Sequence, residues 1–500
     1  MESFFAAFNN HKELFKKISV LAAGKNIKLY LVGGILRDAF LGRKKDNPDI
    51  DFCLQKGAIN FGRLVAQELK AGFVVLDRIH GCARVVYSLG PSGAGKTYTF
   101  DFTDFRGKTL QEDLLHRDFT INSMALDLDA LLAGLGKRRL SRKDIGAILL
   151  DPSHGTIDLH AQVIRLVNKR GFDEDPLRIL RAFSLSAIFE FAIERETLRL
   201  AVSKRKKLSA VSPERVRDEL FKVFSSPRAY ESLVHLEKNK LLELIIPEIK
   251  PMQKLMQGPY HHLDVLGHTF ETVKHLELII QEFRRRAKVS GFLNEEVSSG
   301  RRRLALVKMA ALLHDVGKPA TLRVRAGKIM FHGHERVGAF MAEHIALRLK
   351  LSNDETRRLK QIIFAHLRPG YLADGALTLR AQFRFFRDTA PEALSVLLIS
   401  LADQRATQGK HATAQSRRRH EHLVQKLIRI YCGGKKNVPS QRLVDGNDIM
   451  RRFSIEASAL VGEVLRELQE LRAIGKIKTK EDAFIAAATL IKRSKTKIRK

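Results

Sequence analysis

The stretch LVGGILRDAFLGRKKDNPDIDF, Leu31 to Phe52, restricts what this chain can fold into more than any other. In PDIDF, Asp49 and Asp51 alternate with Ile50 and Phe52, so on a strand both carboxylates leave one face and both apolar groups the other. Two acids about 7 Å apart on one strand face repel each other unless cations bridge them. A pair of Mg²⁺ ions roughly 3.5–4 Å apart is what such an arrangement can hold. Asp101, on the polar face of TFDFTDF, offers a third carboxylate from a neighbouring strand. Upstream, VGG ends a strand and opens a helix. Gly33 and Gly34 let the backbone approach closely, and the helix N-terminus after them attracts a triphosphate. A D-x-D pair alone is common on solvent-facing strands; the glycine turn before it and the third acid favour a nucleotide site.

A second glycine-rich stretch, GPSGAGKT (Gly90 to Thr97), fits the phosphate-loop pattern G-x-x-x-x-G-K-[ST]. That loop needs a helix after it to supply amides and dipole. TYTFDFTDF follows instead, with period two, which belongs to a strand. The stretch therefore reads as a hairpin connection between antiparallel strands.

Residues 1–165 mix strands (KLYLVGG, DIDFCL) with helices (ILRDAFLG, FGRLVAQELKA), an α/β head. From EDPLRILRAFSLSAIF onward the pattern is helical almost to the end, an all-α body. SPERVRDELFKVF opens with a capping signal, Ser212 before Pro213 and Glu214. Ser290 to Gly300 reads as a loop and Tyr431 to Gln441 as a linker. The expected divisions are 1–165, 166–250, 251–430 and 431–500.

The 500 residues carry Lys+Arg 88 against Asp+Glu 55, a net charge of +33. Such a field draws polyanions, and nucleic acid comes before membrane because no lipid-facing segment is visible. Cys53, Cys82 and Cys432 lie far apart with no C-x-x-C spacing, which fits a reducing compartment. The N-terminus has no signal-peptide pattern, so a cytoplasmic protein is expected.

The ordered blocks GGILRDAFLGR…DIDF, FDFTDFRG, EDLLHRDFTINSMALDL, DPSHGTIDL and FDEDPLRILRAFSLSAIFEF resemble the class II tRNA nucleotidyltransferase/poly(A) polymerase family, within the DNA polymerase β-like nucleotidyltransferase superfamily. The resemblance spans about residues 28 to 250 and implies a nucleotidyltransferase head. It implies that Asp49, Asp51 and Asp101 hold two Mg²⁺, and that Gly33, Gly34, Arg37 and Asp38 hold the triphosphate and support the site. Arg117 and Asp118 would contact the ribose of the incoming nucleotide. His116 stands where the family usually has an arginine.

EDPLRIL places Asp175 and Arg178 three apart on an expected helix, hence on one face. Cytosine and adenine both present an amine donor beside a ring-nitrogen acceptor. A carboxylate accepts from the first and a guanidinium donates to the second. Guanine and uracil reverse that pattern and would leave buried groups unpaired, at about 1–3 kcal/mol each. The resemblance implies the same role, selection of CTP and ATP, with Arg181 assisting. The bland alternative is an exposed salt bridge, and a pair satisfied by both bases does not decide between CCA, C-only, A-only and poly(A) addition.

Among the 18 histidines, His268 in HHLDVLGHTF, His314 with Asp315 in ALLHDVGKPATL, and Asp403 in ISLADQRA resemble the HD superfamily of metal-dependent phosphohydrolases, over about 255–430. His334 and His366 are candidates for a second metal. Imidazole with carboxylate suits a divalent ion such as Mg, Mn, Ni or Fe. Its reaction, if any, would be phosphate-ester hydrolysis, on a 2′,3′-cyclic phosphate or a 2′-phosphate for example. The tail beginning LVDGNDIMRRF resembles the family's RNA-binding tail, although an ordinary packing helix has the same pattern.

The reading is an RNA 3′-end nucleotidyltransferase adding C and A to tRNA. The rivals are a poly(A) polymerase, an A-only or C-only enzyme, a phosphohydrolase with a vestigial head, and a non-catalytic basic RNA-binding protein.

Overall fold

The computed structural model describes residues 4, 8–43, 49–89, 96–135, 142–298, 300–373, 375–433 and 443–498. They form two compact units, Met1–Ser212 and Pro213–Lys500. The alternating residues of the first unit make a seven-stranded sheet: β1 (Tyr30–Val32), β2 (Asp49–Leu54), β3 (Gly72–Asp77), β4 (Cys82–Leu89), β5 (Lys96–Asp104), β6 (Ala125–Asp127) and β7 (Leu149–Leu150). The spatial order is β3-β4-β5-β2-β1-β6-β7.

Central strands β2 and β5 run parallel, in a register that sets Asp51 opposite Asp101 and Phe52 opposite Phe102. Period two then sorts the faces. Phe52, Phe100 and Phe102 are wholly buried, and Phe52 stacks on Phe102 at 5.3 Å. The helix Ala58–Leu69 covers this side, with Phe61 edge-on to Phe102 at 5.4 Å. Burial of each phenylalanine contributes about 1.5–3 kcal/mol. The acids are thereby forced onto the opposite face. The strand expected for DIDFCL and the helices expected for ILRDAFLG and FGRLVAQELKA are present, the first helix as Gly34–Phe40.

The phosphate-loop question is decided by the flanks. β4 and β5 pair antiparallel, ending with Leu89 opposite Lys96, so a strand follows where a phosphate loop needs a helix. The intervening Gly90–Gly95 lies outside the described residues.

The second unit is helical. Val265–Phe283, Arg303–Leu313, His334–Arg348, Asn353–Ala365 and Ala393–Ala406 pack around a core that buries most of the last of these helices. Ser352 and Glu355 close a capping box on Asn353–Ala365, as the S-x-x-E spacing dictates. Two expectations are corrected here. Most of the expected loop Ser290–Gly300 is regular structure among the described residues: Ala287–Asn294 is a helix that buries Val289 and Leu293, and Glu296–Ser298 pairs with Arg301–Arg302. Val289 and Leu293 are four apart, enough to anchor two turns despite Gly291. The first residues of the expected linker, Tyr431 to Gly433, finish the helix Ala414–Gly433; 434–441 lie outside the described residues. The tail helices Gly446–Phe453, Ala459–Ala473 and Lys480–Ile498 bury Ile449, Val461, Val464, Leu468, Ala483 and Ala487 among themselves. Among the described residues no helix is long and apolar enough to cross a membrane.

Candidate active site and metal centre

The sheet brings the three predicted carboxylates together. Asp51 and Asp101 are direct ladder partners, and Asp49 lies two residues along the same face as Asp51. Burial, with Asp101 and Asp49 adding like charge against the pull of Arg117, pushes the Asp51 carboxyl up to about 6. The pull of Arg117 does not offset burial and the neighbouring acids. Asp101 has a closer cation: Nε and Nη2 of Arg84, its ladder partner on β4, donate to its two oxygens at 2.8 Å each. An all-oxygen donor set with a guanidinium standing in for positive charge fits hard Mg²⁺. Arg84 escaped the sequence reading, although the register of the hairpin would have placed it opposite Asp101.

Gly33 flanks this cluster. Its φ of 76° with ψ of −140° is a conformation only glycine adopts easily. A Cβ there would lie 3.0 Å from Asp51 Oδ2 and 3.3 Å from Arg117 Nη1. Arg117 is half-buried and donates through Nε and Nη2 to Asp113 at 3.3 Å. Arg37 and Asp38 are buried. Nε and Nη2 of Arg37 donate to Asp38 at 3.0 and 2.9 Å, and Nη1 donates to Asn122 at 2.6 Å. Its guanidinium also lies 4.3 Å over the Phe189 ring. Every nitrogen of Arg37 is therefore engaged inside the protein. It braces the turn between Asp38, Asn122 and Phe189.

Asp118 is buried and accepts from its neighbour Phe119 N–H at 2.7 Å and from Asn122 at 3.1 Å, with Arg181 Nε 2.8 Å away. Burial alone would raise its pKa, but Arg181 and these hydrogen bonds outweigh it and hold the carboxyl below its usual range.

The expected helical pairing of Asp175 with Arg178 is corrected. The helix is Leu177–Phe189, and Asp175 stands outside it in extended backbone, φ −142° and ψ 98°. The cause is Pro176, because a residue before proline is kept out of the helical region. Oδ1 of Asp175 accepts from Leu177 N–H at 3.2 Å. Arg178 is buried in the first turn, where Nη2 donates to the His116 carbonyl at 2.7 Å and Nη1 faces Glu174 at 3.5 Å. Burial lowers its pKa, against the pull of Asp118. His116 Nδ1 is 3.7 Å from Glu174. The position where the family has an arginine thus anchors Arg178 through its main chain, which side-chain patterns do not reveal.

In the second unit the six predicted ligands converge from five helices and the turns that end two of them. His268, His314 and Asp403 bring one ligand atom each within 4.8 Å of one another, and Asp315, His334 and His366 do the same. His268 Nε2 is 2.9 Å from Asp403, and Asp315 lies 3.1 Å from His314 and 3.3 Å from His334, bordering both groups. Nδ1 of His314, His334 and His366 each lies 2.6–2.8 Å from a carbonyl three residues earlier, which fixes the tautomer and aims Nε2 inward. Nε2 of His366 is buried without a hydrogen-bond partner, whereas Nε2 of His314 and of His334 face Asp315. Burial, helped by His314, pushes His366 down to about 3, so it is neutral with its lone pair available. Burial alone would raise Asp403, but His268 and His314 hold it well below the carboxylate range. Inward-facing imidazoles beside ionised carboxylates fit a borderline divalent ion. Sequence reasoning missed Lys318, which bridges Asp315 and Gln257 at 2.6 Å each. It also missed His261, whose ring lies 4.6 Å from His268.

Three family profiles match in order. They are the Poly A polymerase head domain over 29–165, the probable RNA and SrmB-binding site of polymerase A over 190–253, and the HD domain over 265–408. The A-adding tRNA nucleotidyltransferase of Deinococcus radiodurans is 32% identical over 91% of this chain and 93% of that one. The chain belongs to the tRNA nucleotidyltransferase/poly(A) polymerase family. As a tRNA nucleotidyltransferase it is a divalent-metal enzyme with a polymerase head and an HD domain. The CC-adding enzyme of Thermus thermophilus is 28% identical over 90% of this chain and 91% of its own. A CCA-adding enzyme solved with CTP has the same fold, with TM-score 0.60 at 20% identity over 96% of this chain and 95% of that one.

Proposed function

We propose that this tRNA nucleotidyltransferase adds C and A to the 3′ end of tRNA, using CTP and ATP without a nucleic-acid template. The observation that carries the reading is the Asp51–Asp101 ladder pair with Asp49 beside it, flanked by Gly33 and Arg117. Asp49, Asp51 and Asp101 would hold two Mg²⁺, with Arg84 yielding Asp101. When bound, the ions supply charge stabilisation at the reacting phosphate and lower the pKa of the RNA 3′-hydroxyl. That oxygen attacks the α-phosphorus, forming the new phosphodiester as the bond to pyrophosphate breaks. Arg117 and Asp118 orient the ribose, and Gly33 and Gly34 admit the triphosphate. Asp175 and Arg178 read the donor–acceptor pattern shared by cytosine and adenine, with Arg181 holding Asp118.

The test supplies Mg²⁺ and tRNA lacking its 3′ end, with labelled CTP or ATP singly and then together. Addition that stops after CCA supports this reading. Unlimited A incorporation identifies a poly(A) polymerase. Single-nucleotide use identifies an A-only or CC-only enzyme, specificities that the names of the Deinococcus and Thermus relatives carry. Asp49→Asn should abolish incorporation.

A second activity is favoured by one observation, the buried imidazoles and carboxylates that converge around Asp315. With Mg, Mn, Ni or Fe bound, that centre would hydrolyse RNA-end phosphate esters. Hydrolysis of 2′,3′-cAMP by the metal-loaded protein, lost in Asp315→Asn, checks it.

A further inference from the structure

The face that carries the carboxylates does not end at Asp101. Residues opposite one another in a ladder share a face. One row therefore runs Asp51, Asp101, Arg84, Val74, and the next runs Asp49, Thr99, Val86, Gly72. Beyond Arg84 this wing is open and aliphatic: Val74 is 53% exposed and Val86 37%. Leu76, the next residue of like facing on the edge strand β3, is 47% exposed. Gly72, with no side chain, leaves the second row flat. An exposed apolar patch rimmed by charge marks an interaction surface.

Two substrates must meet at the carboxylates. The β1 flank carries Gly33 and Arg117, the groups assigned above to the triphosphate and the ribose. The β4–β3 flank is left for the RNA. We propose that Val74, Leu76 and Val86, with Arg84 at the inner edge, form the track on which the 3′-terminal nucleotides of the RNA lie. This rests on the polymerase reading of the site.

The chemistry matches on both counts. Bases and riboses offer apolar faces that accept contact regardless of sequence, which suits an end whose terminal residue changes with each addition. The Arg84 side chain is 41% exposed and uses only Nε and Nη2 on Asp101. Its other donors are available to the phosphate nearest the reacting hydroxyl.

Val74→Asp and Val86→Asp, singly and together, test the track. Both KM and Kd for tRNA lacking its 3′ end should rise about tenfold or more, while KM for CTP and ATP at saturating RNA stays within about twofold. Val74→Ile and Val86→Ile should behave as wild type. So should Val20→Asp, an equal charge on the exposed face of the helix Lys12–Ala23. Independently of any variant, wild-type protein should crosslink a 4-thiouridine at the RNA 3′ terminus to residues 72–89. Unchanged RNA KM in the folded double variant, with crosslinks elsewhere and normal wild-type incorporation, overturns the track and leaves the polymerase reading standing. Unchanged RNA KM with loss of binding to another protein or to a second copy would make the patch a protein interface and overturn it too. A wild-type chain that incorporates nothing overturns both.

Discussion

Asp51→Asn should stabilise the metal-free protein while abolishing nucleotide addition. The folded state raises the Asp51 carboxyl from 3.8 to about 6, chiefly by burial and then by Asp101 and Asp49. A rise of about two pH units corresponds to about 3 kcal/mol between the two protonation states. Asp51 keeps partial solvent access, and screening reduces this to about 1–2 kcal/mol. The sign follows from linkage. The folded state binds the proton more tightly than the unfolded, so stability falls as pH rises from about 4 to about 6 and stays reduced above. The charge is thus carried at a loss at pH 8, and asparagine removes it. In EDTA at pH 8 the variant should melt about 3–6 °C above wild type, and the gain should shrink towards pH 4. Millimolar Mg²⁺ should raise the midpoint of the wild type and leave the variant unmoved. A variant that melts lower at pH 8, or gains equally at pH 4 and pH 8, would refute the argument that repulsion and burial dominate this carboxylate.

Gly33→Ala meets both an unfavourable backbone region, at about 1–3 kcal/mol, and Asp51 Oδ2 at 3.0 Å. Its kcat should fall about 100-fold or more with RNA affinity retained, measured by single-turnover incorporation and filter binding. His334→Ala and His366→Ala should each lower the metal content of the HD centre while leaving CTP incorporation intact, as read by elemental analysis beside the addition assay. Asp175→Ala should admit UTP or GTP more than it weakens RNA binding. Competition between labelled nucleotides measures this, and unchanged selectivity would remove Asp175 from base reading.

The carboxylate strand was legible because period two and two flanking apolar residues leave one solution: Ile50 and Phe52 must face the core, so Asp49 and Asp51 cannot. The candidate HD ligands were legible singly, since each sits at a recognisable helix end or interior, although their convergence depends on packing between helices far apart in sequence. Arg84 was missed because its role is a property of register, and no local pattern around CARVV announces it. The helical pairing of Asp175 with Arg178 failed on one residue, Pro176, whose effect on its predecessor outweighs the i,i+3 spacing. The helix Ala287–Asn294 was hidden by Ser290 and Gly291, which suggest a turn until Val289 and Leu293 find a core.

The bond from Arg178 to the main-chain oxygen of His116 ties the side chain proposed to read the base to the segment that continues into Arg117 and Asp118. A guanidinium seated on backbone cannot be shouldered aside without dragging that backbone with it. If Arg117 and Asp118 hold the ribose as proposed, an ill-matched base would tilt that grip as well, and the enzyme would reject it through sluggish turnover more than through weak capture.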